Sequence, residues 1–109
     1  MVPRRFRSEC ELLKVLSHPA RLRVVDLLRD GEMCVGDILD AMEIGQSALS
    51  QHLALMRHTG VLATHRDGVR VNYYIRSPLA LRVVNLMIYE FGERPAQSPS
   101  TKGQSRKGE

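Results

Sequence analysis

The chain has 109 residues, 43% of them apolar, with two Phe, three Tyr and no Trp, so it is long enough for one small domain whose core must rest on Leu, Val, Ile and Met. Its net charge of +4 is unevenly spread: Asp26, Asp30, Glu32, Asp37, Asp40 and Glu43 crowd the first half of the middle region, and Arg57, Arg66, Arg70, Arg76 and Arg82 dominate the second, which suits a polyanionic partner. No apolar run approaches the roughly 20 residues that cross a bilayer, and no apolar segment follows the basic Met1 to Arg7 stretch, so the expectation is a cytoplasmic protein without a membrane segment or a structural disulfide framework for Cys10 and Cys34.

Residues 1–8 read as a flexible basic N-terminus and residues 9–91 as the folded domain. Glu9 to Leu16 predicts a short helix capped by Ser8, with Leu12, Leu13 and Leu16 as its apolar side. Ser17-His18-Pro19 interrupts it. Pro19 fits the first turn of a second helix, where its missing N–H is no loss, and Leu22, Val25 and Leu27 or Leu28 carry the stripe until Asp30-Gly31 stops it. A third helix spans Val35 to Met42, with Ile38, Leu39 and Met42 inward. Glu43-Ile44-Gly45 then leads directly into a fourth, Gln46 to His58, and two short helices joined by a Gly-containing turn make a helix-turn-helix.

The fourth helix carries the most informative pattern. At helical period Leu49, Leu53 and Met56 share one stripe, while Ser47, Ser50, Gln51, Ala54 and His58 share another. The second stripe is small, neutral and hydrogen-bonding, where a solvated helix face is usually dressed in Lys and Glu. Short Ser and forked Gln side chains let a helix approach a surface and meet donors and acceptors on base edges. His52 lies at the edge of this face, where packing or a phosphate contact stands beside base contact as its role.

After Gly60 the period changes to two. Val69, Val71, Tyr73 and Ile75 alternate with Arg70, Asn72, Tyr74 and Arg76, and Asp67-Gly68 signals a tight hairpin turn. The expected register pairs Arg66 with Val69 and His65 with Arg70, which clusters arginines at the tip. A basic-tipped hairpin directly after a recognition helix is a wing, although charge that merely protects an edge strand would look similar.

Leu79 to Phe91 forms the last helix, beginning near Ser77-Pro78. Its apolar residues cover most of its circumference, leaving Arg82, Asn85 and Tyr89 as the polar stripe, so it needs cover on two sides: its own domain and a second subunit. Residues 92–109, rich in Pro, Ser, Gly, Gln and Lys, read as a disordered tail. Its Lys102, Arg106 and Lys107 serve solubility or add weak non-specific affinity for DNA.

The fold class is therefore mainly α with a β-hairpin wing, a winged helix-turn-helix. Leu16-Ser17-His18-Pro19-Ala20-Arg21-Leu22, Val35-Gly36-Asp37-Ile38, Ser47-Ala48-Leu49-Ser50-Gln51-His52-Leu53 and Asp67-Gly68-Val69-Arg70-Val71-Asn72-Tyr73-Tyr74 resemble, in this order, the ArsR/SmtB family of winged-helix repressors. The resemblance covers nearly everything from Leu12 to Phe91. It implies a homodimer through the first and last helices that binds an imperfect palindrome in double-stranded DNA and leaves when an inducer or oxidant arrives. It also places Gln46, Ser47, Ser50, Gln51 and His52 at or near the major groove, and Arg66 and Arg70 on phosphates or in the minor groove.

The sensor is less legible. Arsenic-responsive members resemble Glu32-Met33-Cys34-Val35-Gly36-Asp37-Ile38 but carry a second Cys at the position of Gly36, so a three-thiolate site is incomplete here. The zinc-type site of the family needs Asp and His ligands on the last helix, and Leu79 to Phe91 has neither. Cys10 with Cys34 is at best half of a lead- or cadmium-type set. No metal ligand set or cofactor is therefore assigned. Cys34 nevertheless stands where a capping Ser would serve the third helix better, with Asp37 as the acid of the box. A helix N-terminus in general favours the reactive form of a thiol, with Glu32 and Asp37 opposing it here. Two readings stand: Cys34 and Cys10 as half-buried small residues, or as sensors of a soft metal, a metalloid or an oxidant.

Nothing in the chain suggests an enzyme. There is no phosphate-cradling Gly loop, metalloprotease helix or Cys-x-x-Cys, and His18, His52, His58 and His65 have no catalytic spacing. The competing function is a winged-helix module that binds another protein through the neutral face of the fourth helix. Salt-dependent duplex binding separates the two.

Overall fold

The computed structural model describes residues 4–92. Its elements run α1 (Arg7–Leu16), α2 (Pro19–Leu27), β1 (Met33–Cys34), α3 (Val35–Asp40), α4 (Gln46–His58), β2 (Leu62–Asp67), β3 (Arg70–Ile75) and α5 (Pro78–Phe91). The N-terminal Met1 to Pro3 and the tail from residue 93, including Lys102, Arg106 and Lys107, lie outside the described residues.

Helix α1 begins earlier than expected. Arg4–Phe6 form a 3-10 turn that runs into it, Phe6 takes the cap position without a side-chain bond, and Ser8 sits inside the first turn. Arg7, Ser8 and Glu9 contain no helix breaker, and Glu9 in the first turn favours the positive end of the helix dipole. At α2 Pro19 occupies the first turn as expected, but the cap is His18, whose Nδ1 accepts from the Ala20 N–H at 3.1 Å. Helix α3 ends at Asp40, two residues short of Met42, and Cys34 is its N-cap with no side-chain cap bond.

The sheet holds a strand that was not expected. Met33–Cys34 pair antiparallel with Tyr73 and Asn72, giving the order β1-β3-β2. The hairpin register also differs from expectation. Asp67 pairs with Arg70, Arg66 with Val71 and His65 with Asn72, so the turn is Gly68-Val69 and not Asp67-Gly68. Gly68 takes the first central position with φ 65°, a left-handed conformation that excludes the β-branched Val69 from that place. Val69 is consequently 97% exposed and does not continue the inward stripe of Val71, Tyr73 and Ile75. Because opposed residues share a face, Arg70 lies on one face of the ribbon with His65, Asp67 and Asn72, and Arg66 lies on the other.

The core gathers Val24 and Val25 of α2 and Leu28 just after it with Ile38 of α3, Leu49, Leu53 and Met56 of α4, and Val61 and Leu62. Helix α5 joins it through Ala80 and Val84, packing on α2 and β3. Ser77 caps α5 by accepting from the Ala80 N–H at 3.1 Å, with Pro78 in the first turn. Ser77→Ala is expected to lower the unfolding free energy by about 1 kcal/mol, the usual cost of a lost hydroxyl cap, read as a reduced urea midpoint with an unchanged slope. Among the described residues no helix is long and apolar enough to cross a membrane.

Candidate nucleic-acid interface

Helix α4 is held by one face and presents the other. Leu49, Leu53 and Met56 are fully buried, while Gln46, Ser47, Ser50, Gln51, Ala54 and His58 are exposed. The helix contains no acidic residue, and its last turn carries Arg57 and His58. The outer face thus offers hydroxyls and amides with nothing to repel a phosphate backbone.

His52 does not share that face. It is half-buried, and its Nδ1 accepts a hydrogen bond from Nε of Arg21 at 3.2 Å. Its ring lies 4.4 Å from that of His18. Burial, then the charges of His18 and Arg21, push its pKa below the ordinary histidine value. His52 is thus packed against Arg21 and His18.

The two wing arginines are placed differently. Arg66 is exposed and makes no side-chain hydrogen bond among the described residues. Arg70 turns back toward the start of α3, donating to Cys34 Sγ at 3.2 Å with a carboxylate oxygen of Asp37 at 3.7 Å. On the same face Glu32 accepts from Asn72 at 3.2 Å and lies 2.8 Å from Nδ1 of His65. The hydrogen bond with His65 holds the Glu32 carboxyl below its ordinary range. Linear spacing gave no sign of this tie, because only the pairing of β1 with β3 brings residues 32 and 72 together.

Cys34 is half-buried between β1 and α3, Cys10 is exposed on α1, and both are free thiols. No three His, Cys, Asp or Glu side chains among the described residues gather in a way that could hold a metal ion.

On α5, Leu79, Leu86, Met87, Tyr89 and Phe91 are exposed, as are Phe6 and Leu13 at the N-terminal end of the domain. Met87 and Phe91 also border an apolar groove with Leu22, Val84 and Ile88 between α2 and α5.

The sequence profile of the bacterial regulatory proteins of the arsR family matches residues 18–64. The biofilm growth-associated repressor of Xylella fastidiosa is 35% identical over 95 residues, which cover 87% of this chain and 83% of that protein. The transcriptional activator HlyU of Vibrio cholerae is 36% identical over 76 residues, covering 70% of each chain. The structure of HlyU from Vibrio cholerae superimposes with a TM-score of 0.77 at 29% identity, covering 84% of this chain and 100% of that one.

Proposed function

The chain belongs to the bacterial arsR family of DNA-binding transcriptional regulators, which are not enzymes, and from that premise we propose that it is a homodimeric repressor. In this proposal it reads an imperfect palindrome in duplex DNA and leaves it when a soft metal, a metalloid or an oxidant reaches its thiols. The observation that carries DNA reading is the outer face of α4, where Gln46, Ser47, Ser50 and Gln51 stand exposed above a fully buried Leu49, Leu53 and Met56. Ser50 and Gln51 contact base edges, and Arg66, with Arg70 once it leaves Asp37, binds phosphates. His52 supports that helix from behind. The exposed apolar residues of α5, together with Leu13 of α1, form the subunit contact.

Binding to a duplex selected from a random pool should fall steeply with salt, because each neutralised phosphate releases counterions. Affinity insensitive to salt and to sequence would instead favour a module that binds protein.

Release through Cys34 is supported by its contact with Arg70, since any group attached to that sulfur sits against a wing arginine. Cys34→Ser should hold the operator at least as well as wild type, because a hydroxyl can cap α3 where the thiol makes no cap bond. The variant should fail to dissociate on treatment with arsenite, a soft metal ion or a mild oxidant, as read by fluorescence anisotropy. Cys10→Ser separates the routes: loss of the oxidant response alone means a disulfide between the two cysteines, and loss of the metal response alone means a shared site. Wild type that stays bound under every thiol-directed treatment makes both cysteines structural.

A further inference from the structure

Arg21 and His52 belong neither to the apolar core nor to the polar outer face of α4. Arginine has only donors, so the bond from Arg21 Nε requires that His52 Nδ1 present a lone pair and that the ring proton sit on Nε2. A terminal nitrogen of the same guanidinium donates to the carbonyl of Val15 at 3.2 Å. One side chain thus joins the end of α1, the start of α2 and the middle of α4. His18 completes the cluster, its ring tilted 54° to that of His52 and its own Nδ1 committed to capping α2.

We infer that Arg21 and His52 form a positioning pair that fixes the recognition helix against the α1–α2 corner and that holds only while His52 is neutral. The inference rests on α4 being the DNA-reading helix. Base-edge hydrogen bonds need their side chains held to about 0.5 Å, and α4 carries Ser50 and Gln51 immediately before His52. Protonation would replace the accepting lone pair with an N–H aimed at another N–H. It would also set a cation against the guanidinium, with His18 beside it. The groups facing His52 are Arg21 of α2 and its cap residue His18, and no carboxylate within the described residues pairs with it. The neutral form is therefore favoured in the fold, with a pKa below the ordinary 6.5. Its contribution is fully present above that value and is lost as pH falls through the lowered one.

The test compares wild type, His52→Gln and His52→Leu on one selected duplex and one unrelated duplex, between about pH 7.5 and 5.5, the range in which histidines titrate. Glutamine offers Arg21 a carbonyl acceptor and takes up no proton, so this variant should keep wild-type discrimination at the upper pH and lose none of it in acid. Wild type should lose about tenfold of its discrimination relative to His52→Gln at the lower pH, the scale of one hydrogen bond to a charged donor. His52→Leu should be equally impaired at both. The other three histidines are present in all three proteins, so the difference between the curves reports on position 52. Nitrogen-15 NMR of the free protein should show His52 with Nδ1 unprotonated at neutral pH. A proton on Nδ1, or a His52→Gln curve that follows wild type, overturns the pair while leaving the DNA-reading role of α4 intact. A wild type that discriminates between duplexes at no pH overturns that role and the inference with it.

Discussion

Replacing Leu86 with glutamate is expected to give a folded monomer at micromolar concentration and to reduce operator affinity by at least about a hundredfold, the scale of losing bivalent engagement of two half-sites. Leu86 is 61% exposed on α5 and contributes nothing to the core cluster, so circular dichroism and thermal midpoint should stay near those of a wild-type subunit. In a two-fold dimer the same side chain is buried twice, and each burial contributes about 1.5–3 kcal/mol. A buried glutamate adds the cost of an unpaired charge to that loss. Val84 is the wrong residue for this test despite lying on the same apolar helix, because it is only 3% exposed and sits in its own subunit's core. Val84→Glu should unfold the domain, and monomers from it would say nothing about the interface. Sedimentation velocity on wild type and Leu86→Glu decides the matter, and a monomeric wild type removes the dimer from the proposal.

Much of this architecture could be read from particular residues, and the parts that could not share a cause. Pro19, Gly45 and Pro78 mark helix starts through local backbone chemistry, and the inner and outer faces of α4 follow from the contrast between Leu49, Leu53 and Met56 and their neutral neighbours. Strand β1 has two residues, too few to show any period, and it forms because β3 offers it a free edge. The hairpin turn lies one residue later than Asp67-Gly68 because Asp-Gly-Val can put glycine at either central position, and only the pairing of β2 with β3, from Leu62 with Ile75 to Asp67 with Arg70, selects between them. The apolar excess of α5 is plain in its sequence, and Leu79, Leu86, Met87 and Phe91 are exposed. Which of its residues were spare depended on α2, which covers Val84 and leaves Leu86 uncovered. The ties at the site are the least legible of all. His52 and Arg21 stand 31 residues apart, and Arg70 and Cys34 stand 36 apart. A helical wheel places His52 at the rim of the outer face, but it cannot show that a guanidinium from another helix already occupies its acceptor nitrogen.

Gln51→Ala is expected to cost about 1–3 kcal/mol on the preferred duplex and much less on unrelated ones, so that sequence preference flattens as affinity falls. The amide of glutamine can pair in a bidentate way with an adenine edge, and truncation leaves that edge unpaired in a site from which water has been displaced. The contrast is Arg66→Ala. Arg66 lies on the wing face away from Glu32 and Asp37, so its loss should weaken all duplexes alike and reduce the salt slope by about one unit. Arg70→Ala should have a smaller effect than Arg66→Ala, since a phosphate that recruits Arg70 must first draw it from Cys34 and Asp37. Anisotropy titrations of the three variants against both duplexes, each at several salt concentrations, separate base reading from backbone attraction. A Gln51→Ala protein with unchanged affinity and unchanged preference would show that the outer face of α4 does not read bases, whatever the wing contributes.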